Sequence, residues 1–503
     1  MHRIILAIAL VILPTFCATS AAASRYRIES TDRILNRYWE ELALLQSGQS
    51  LYSDVLPHLT SPTSGTETSD NVVGKLLNER IAAYDDKTNF QLDNWGLFKS
   101  NGDNSLQLIT RFMPYLEHIS SADTLPVHRV GLTSEAWIMP SEHVQIHLRM
   151  RLENHGELYS QFNGRVWDEK ITGWLDHGAV YYYNKGFFGS IGRSSMIWGP
   201  EQRDALLLSD NAPQLDRIWL GYEHRAIRFD YFISRLDDVK YNDSTLVRYM
   251  SAHRLSFRKQ NAFELGLSEV ALFGGYGRPV DWRYINPFVP YYWEQWNRGS
   301  DDNILFGLDF AIYWPHQCRI FGELLIDDFQ IDLKSEPHQV GYKLGIDMME
   351  PLGLNRVFTK ASYTRVNTTV YGQNQPQNLY LYYNKPIGYF GGNDQDRFLA
   401  MARYHASRAL DLELEFQFNR RGEGRIEKHD RSGVPFEEKF PIGIVEKSPS
   451  VQATALWFSR NLIEARLSAR YSYFDNYKHV CGDNHSRIDL NLFFAYNIQG
   501  LID

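Results

Sequence analysis

A chain of 503 residues with 52 Lys plus Arg against 60 Asp plus Glu carries a formal charge of −8, which excludes a globally basic nucleic-acid binder. Charged residues at 22% and hydrophobic ones at 44% exclude wholesale disorder. The unusual quantity is aromatic: 30 Tyr, 28 Phe and 12 Trp make up 14% of the chain, more than a soluble domain needs for its core.

Met1, His2 and Arg3, then an apolar run from Ile4 to Leu13 and the small residues from Ala18 to Ala23, read as an export signal over 1–23, cleaved after Ala23. Cys17 raises a lipoprotein alternative, which the bulky Phe16 before it disfavours. Residues 24–103 carry two helical stripes. Ile34, Leu35, Tyr38, Leu42 and Leu45 form the first, with capping residues from Ser30 to Asp32. Val73, Leu76, Leu77, Ile81 and Tyr84 form the second, after Asp70, and a Ser/Thr/Pro/Gly-rich stretch at 60–69 separates the two. The expectation is a small periplasmic helical segment that plugs a lumen or docks a partner; a loosely attached tail is the alternative.

From residue 104 to 503 the period changes to two. Val144, Ile146, Leu148, Met150 and Leu152 alternate with Gln145, His147, Arg149, Arg151 and Glu153, and Leu410, Leu412, Leu414, Phe416 and Phe418 repeat the pattern later. Beyond the export signal no stretch of about 18 apolar residues exists, so a spanning helix is excluded. A soluble sandwich or propeller would also alternate, but many segments are about 10 to 12 residues long, the length of a tilted strand crossing a bilayer. The connections alternate in size. Long ones fall at 118–127, 156–173, 197–215, 237–245, 274–303, 331–338, 372–396, 422–446 and 475–486, and short ones at 140–143, 184–187, 224–225, 258–261, 314–317, 351–355, 407–410 and 459–462. Seventeen connections predict an 18-stranded antiparallel transmembrane β-barrel with short periplasmic turns and long outer loops. Alternation also explains a mean hydropathy of −0.38, because only outward positions need be apolar. The aromatics then belong mostly to girdles at the two membrane interfaces.

Two stretches carry a resemblance: Gly192-Arg-Ser-Ser-Met-Ile-Trp-Gly-Pro200 and Leu206-Leu-Leu-Ser-Asp-Asn-Ala-Pro213. Together with Asn286-Pro-Phe288, Asp301-Asp-Asn303, Asp327-Asp-Phe329, Lys385-Pro-Ile-Gly388 and Gly391-Gly-Asn393, their order and spacing resemble the Wzi family of capsule-assembly outer-membrane proteins. The resemblance implies a barrel in the outer membrane of a Gram-negative envelope, acting as a lectin-like organiser of surface or capsular polysaccharide, with outer-membrane lipid and polysaccharide export machinery as further candidate partners. Trp198, Gly199, Pro200, Ser209, Asn211, Ala212 and Pro213 are the family signature and are read as mostly structural.

Strand parity puts loop 274–303 outside, where Trp282, Arg283, Tyr284, Tyr291, Tyr292, Trp293, Trp296 and Arg298 are the candidate polysaccharide-binding residues. Aromatic faces pack on sugar rings, and guanidinium groups address hydroxyls and acidic substituents. The alternative is that this loop folds into the lumen as a constriction. No Gly-x-Ser-x-Gly elbow, His-Glu-x-x-His helix or P-loop occurs, so no catalytic residue, cofactor or enzymatic activity is expected. His479, Cys481 and His485 invite a metal reading, with a solvated loop as the alternative and Cys318 expected at the opposite end of the barrel. The alternative function is a passive or substrate-selective porin.

Overall fold

The computed structural model describes residues 107–502, except 142, 168–169, 201–203, 260–261, 315–316, 329–337, 428–439 and 460–462, together with 27–28, 55–56, 59–60 and Leu76. The export signal and nearly all of both helical stripes lie outside the described residues; Leu76 is helical and buried.

Eighteen long strands follow one another. They are β1 Gln107–Ser121, β2 Thr124–Ser141, β3 Val144–Asn154, β4 Ile171–Asn184, β5 Phe187–Ser194, β6 Leu215–His224, β7 Ile227–Arg235, β8 Ser244–Lys259 and β9 Phe263–Tyr276. The second half comprises β10 Asn303–Trp314, β11 Cys318–Asp328, β12 Gln339–Met349, β13 Val357–Val366, β14 Gln395–Ser407, β15 Leu410–Arg421, β16 Glu446–Ser459, β17 Ile463–Asp475 and β18 Asn484–Tyr496. Each pairs antiparallel with its neighbours, and β18 closes on β1 through Asp489 opposite Ser121 and Ala495 opposite Tyr115. A short piece, Ile498–Ile502, continues the seam along β1. Closure leaves no unpaired edge for hydrocarbon to meet, which is what permits a sheet to cross a membrane.

The ladder assigns each side chain a side. In β15 Asp411 and Glu413 turn inward to His405 and Arg403 of β14, so Leu412, Leu414 and Phe416 turn outward and are exposed. In β16 Val451 and Trp457 are likewise exposed, and in β17 and β18 Leu467, Ile488, Leu490 and Leu492 are. This apolar outer face is the lipid-facing band of an outer-membrane barrel. Exposed Phe187, Tyr222, Trp314, Tyr404, Trp457 and Tyr496 sit at strand ends beside the short turns, an aromatic girdle on that side.

The short turns and long loops alternate as the sequence predicts, with one exception. Residues 118–127 form no long loop: β1 and β2 continue to Ser121 and from Thr124 and are joined by Ala122 and Asp123 alone. The polar run resembled a loop, but Glu117 pairs with Arg129 at 2.6 Å and His118 lies opposite His128, so the ladder extends further than an apolar pattern can reveal.

The interior has two unlike halves. From β4 round to β13 the inner wall carries, among buried ion pairs, an apolar patch that meets loops folded into the lumen: Tyr181, Trp219, Phe232, Met250, Leu272 and Leu325 join one core with Trp198, Leu206, Tyr371 and Tyr380. From β15 to β18 it is polar and only partly buried. There Thr454 meets Ser468 at 3.1 Å and the Arg470 guanidinium donates to Gln452 at 2.8 Å. Buried cross-strand ion pairs brace the wall, among them Arg149 with Asp176 at 2.7 Å and Arg403 with Glu413 at 2.6 Å. Such pairs hold their geometry because either charge left alone in the wall would be costly.

Candidate functional site

Two outer loops, 195–214 and 367–394, enter the lumen and lock to each other. The Trp198 N–H donates to the Leu208 carbonyl at 2.9 Å, closing the signature segment on itself. Ser209 Oγ donates to the Gly388 carbonyl at 2.5 Å and Asn211 Nδ2 to the Pro386 carbonyl at 3.0 Å. In return the Tyr380 hydroxyl donates to the Leu207 carbonyl at 2.6 Å, and Tyr371 donates to that of Leu206. The polar backbone of a buried loop must find such partners, and here each loop supplies the other's.

The wall clamps this pair of loops. The Leu206 N–H donates to Glu323 of β11 at 2.6 Å, Arg397 of β14 reaches Asp204 at 2.9 Å, and Arg248 of β8 donates to the carbonyls of Gln377, Leu379 and Leu381 at 2.8, 2.6 and 2.9 Å. Gly199 has φ +141°, and a Cβ there would lie 2.9 Å from the Glu323 carboxyl carbon, so a side chain would be strained and would collide with the clamp. Trp198, Gly199, Pro200, Ser209, Ala212 and Pro213 are buried and Asn211 is half-buried. Val55–Leu56 of the N-terminal region pairs antiparallel with Ile197–Trp198, and Arg27–Ile28 with Leu59–Thr60. Burial raises the Tyr371 hydroxyl above the ordinary phenol range, so it remains a neutral donor.

Loop 277–302 does not fill the lumen and meets the mouth at its end, where Asn378 Nδ2 donates to the Asp301 carbonyl. It folds back over the outer face of the wall. Its two helices are α1 (Trp282–Ile285) and α2 (Tyr291–Arg298). In β8 Arg248, Met250, Ala252 and Arg254 point inward, so Ser251 and His253 point outward, as Glu269 and Phe273 of β9 do. These outward groups hold the loop. Ser251 Oγ donates to the Tyr284 carbonyl at 2.5 Å, and Glu269 accepts from the Tyr291 and Tyr292 N–H groups at 2.9 and 2.7 Å while pairing with His253 at 3.0 Å. Tyr284 and Tyr291 are fully buried against Ala271, Phe273 and Ile304. Burial raises both hydroxyls above the usual phenol range.

Of the eight candidate residues, then, Tyr284 and Tyr291 are anchors, Tyr292 packs at the flap's edge against Phe306 of β10, and the other five, Trp282, Arg283, Trp293, Trp296 and Arg298, lie on the free face of this flap. Sequence reasoning did not single out Ser251, His253 and Glu269. Their signal was available, since all three are polar at positions whose strand neighbours Leu255 and Leu267 face lipid. Glu269→Ala would leave the first two α2 amides without their acceptor, an expected loss of about 1–3 kcal/mol from flap attachment. Limited proteolysis would then cut within 277–302 faster while the barrel's heat-resistant gel migration stays the same; an unchanged cleavage rate would contradict the anchoring role.

The His/Cys group does not converge. His479 Nδ1 lies 2.7 Å from the Ile444 carbonyl and its Nε2 lies 3.2 Å from Arg425, while His485 faces Asp123 at 2.9 Å. Among the described residues no group of three or more His, Cys, Asp or Glu side chains is placed to hold a metal ion. Cys481 is exposed in the 476–483 outer loop and Cys318 opens β11 beside a short turn, at opposite ends of the barrel.

Comparison with known proteins matches this architecture. The family model "Capsule assembly protein Wzi" matches residues 141–487, more than half of the chain. The structure is similar to that of Wzi from Escherichia coli, described as an outer-membrane protein involved in group 1 capsule assembly and a carbohydrate-binding β-barrel. The TM-score is 0.62 at 14% identity, covering 94% of this chain and 99% of that one. A lesser likeness is to OccD3 (OpdP) from Pseudomonas aeruginosa, with a TM-score of 0.47 at 8% identity, covering 78% of this chain and 91% of that one. Comparison with curated proteins finds no match. With an 18-stranded closed barrel, signature segments buried in its lumen and a family match over residues 141–487, the chain belongs to the Wzi family of capsule assembly proteins.

Proposed function

We propose that this protein is a non-enzymatic, lectin-like barrel that binds capsular or related surface polysaccharide at its outer face and serves in the assembly and attachment of that polymer. The single observation that carries the reading is the mutual lock of loops 195–214 and 367–394: the buried signature residues fix these loops across the lumen, so that the loop segments facing outward form a preset surface rather than a catalytic constellation. A fixed surface suits a polymer, because many weak sugar contacts accumulate only where their positions are already set. Exposed aromatics carried by loop 367–394, Tyr383 and Phe390, are the sugar-stacking candidates on this surface. Partnership with polysaccharide export machinery belongs to the same reading.

A porin-type reading has one observation in its favour, the polar inner wall from β15 to β18, where Glu415, Gln452, Ser468 and Arg470 face the lumen. A glycan array on the folded protein distinguishes the two. Retention of acidic or neutral polysaccharide, lowered at least severalfold by combined Tyr383→Ala and Phe390→Ala substitution, is the expected result. A folded protein that retains no glycan would overturn the lectin reading.

A further inference from the structure

We infer that residues 277–302 form a lipid-side flap whose free aromatic face, with the groove beside it, takes the acyl chains of outer-membrane lipid. The inference rests on the barrel reading and is independent of polysaccharide binding.

The position of the flap is the first argument. It leaves the outer end of β9 at Tyr276 and returns at Asn303, yet its contacts lie well down the wall. Phe288 stacks on Phe229 of β7 with centroids 5.6 Å apart and planes 14° apart, and Phe229 is only two residues from the start of its strand at the short turn. Tyr292 packs edge-on against Phe306 of β10 at 5.6 Å. Both partners occupy outward positions, in line with the exposed Ile227 and Leu308. The flap therefore lies over strand segments that face hydrocarbon in a membrane-spanning barrel.

Polarity is the second argument. An outward Ser, His and Glu in the wall would each be costly against hydrocarbon, and all three are covered and hydrogen-bonded beneath the flap. What the flap presents in their place is aromatic: Trp282, Phe288, Trp293 and Trp296 are between 67% and 81% exposed. A cluster of this kind bathed in water would be a liability, whereas Trp at a membrane interface is favourable.

Charge is the third. The flap's arginines are neutralised within the flap itself: Arg278 pairs with Asp302, Arg298 with Asp281 at 2.6 Å, and Arg283 lies 3.8 Å from Glu294. No uncompensated cationic patch is left to attract an acidic polymer. Beside the flap a groove of about 540 Å³ runs along the outer wall, bounded by Pro287 and Phe288 and floored by Val180, Ile191, Ile218 and Leu220. It is continuous with the lipid-facing band of exposed Val180, Ile191, Ile218 and Leu220.

The test uses the full-length protein folded into phosphatidylcholine vesicles brominated at mid-chain. Wild type is compared with a Trp282→Phe, Trp293→Phe, Trp296→Phe triple variant. Bromine quenches tryptophan only on contact. The expected result is that the triple variant loses a quenchable share of emission while its quenching by aqueous acrylamide is unchanged. Equal bromine quenching of both proteins, or loss of acrylamide quenching in the variant, would overturn the proposal, because the flap would then face water. Shielding of the three tryptophans from both quenchers in a dimer would assign the face to a second copy and would likewise overturn it. Loss of glycan retention in the triple variant, with bromine quenching unaltered from wild type, would make the flap a sugar platform and refute the lipid assignment. A protein that retains no glycan at all would sink the lectin reading and leave this one standing.

Discussion

Excising residues 373–387 is expected to admit sugars that the intact barrel excludes. A short Gly-Ser linker joins Gly372 to Gly388 in the excised protein. The cut removes Tyr380, whose ring stacks on Tyr371 at 5.4 Å and whose hydroxyl holds the Leu207 carbonyl. It also takes away the carbonyls of Gln377, Leu379 and Leu381 that Arg248 holds at the wall. With those gone, loop 195–214 loses most of its cover and the apolar half of the lumen opens. An 18-stranded cylinder without an inward fold has room for an aqueous channel. Swelling of proteoliposomes in oligosaccharide should accelerate severalfold relative to wild type, with the barrel still resistant to heat on a gel. Equal swelling rates in the two proteins would show that the loops are not what fills the lumen.

The second large effect lies in the wall. Arg254 of β8 and Asp309 of β10 form a two-pronged pair at 2.5 and 2.9 Å, with Ser256 and Ser268 taking further guanidinium protons at 3.0 Å each. Arg254 is fully buried, and the pair bridges across β9 because Gly266 leaves space for it. Arg254→Ala strands the Asp309 carboxylate in the wall, at an expected cost of about 3–5 kcal/mol. Gly266→Ala should act through the same pair, since its Cβ would lie 1.9 Å from a guanidinium nitrogen that must then move. Both substitutions should lower the temperature at which the folded band is lost. The double variant should be no worse than the Arg254 variant, because neighbouring sites that damage one interaction do not add. A wild-type melting temperature for Arg254→Ala would contradict this view of the wall.

The cylinder was legible because its physics repeats at every second residue. Leu412, Leu414 and Phe416 had to face one way and Glu413 and Glu415 the other, and a one-residue slip anywhere would have turned greasy side chains toward water. The turns were legible for the same reason, since alternation stops there. The loops were not. Their residues follow no period, and nothing in the spacing of Tyr284 and Tyr291 tells an anchor from the exposed Trp282 or Trp293 beside them. The direction of the 277–302 loop was written instead in the strands beneath it, as polar Ser251, His253 and Glu269 at positions that ought to meet lipid. The contact between Ser209 and Gly388 was beyond reach for a different reason: it joins residues 179 apart through a single hydroxyl, and one Ser among many carries no mark of its partner.

Current through single wild-type molecules in a planar bilayer, recorded with and without purified capsular polysaccharide on the outer side, separates a polymer-holding surface from a conduit. A protein that retains the polysaccharide on its outer loops should pass no large, steady current in either condition and should keep the polymer bound after washing. Large, steady openings that the polysaccharide interrupts only in transit, with none left after the wash, would contradict the account.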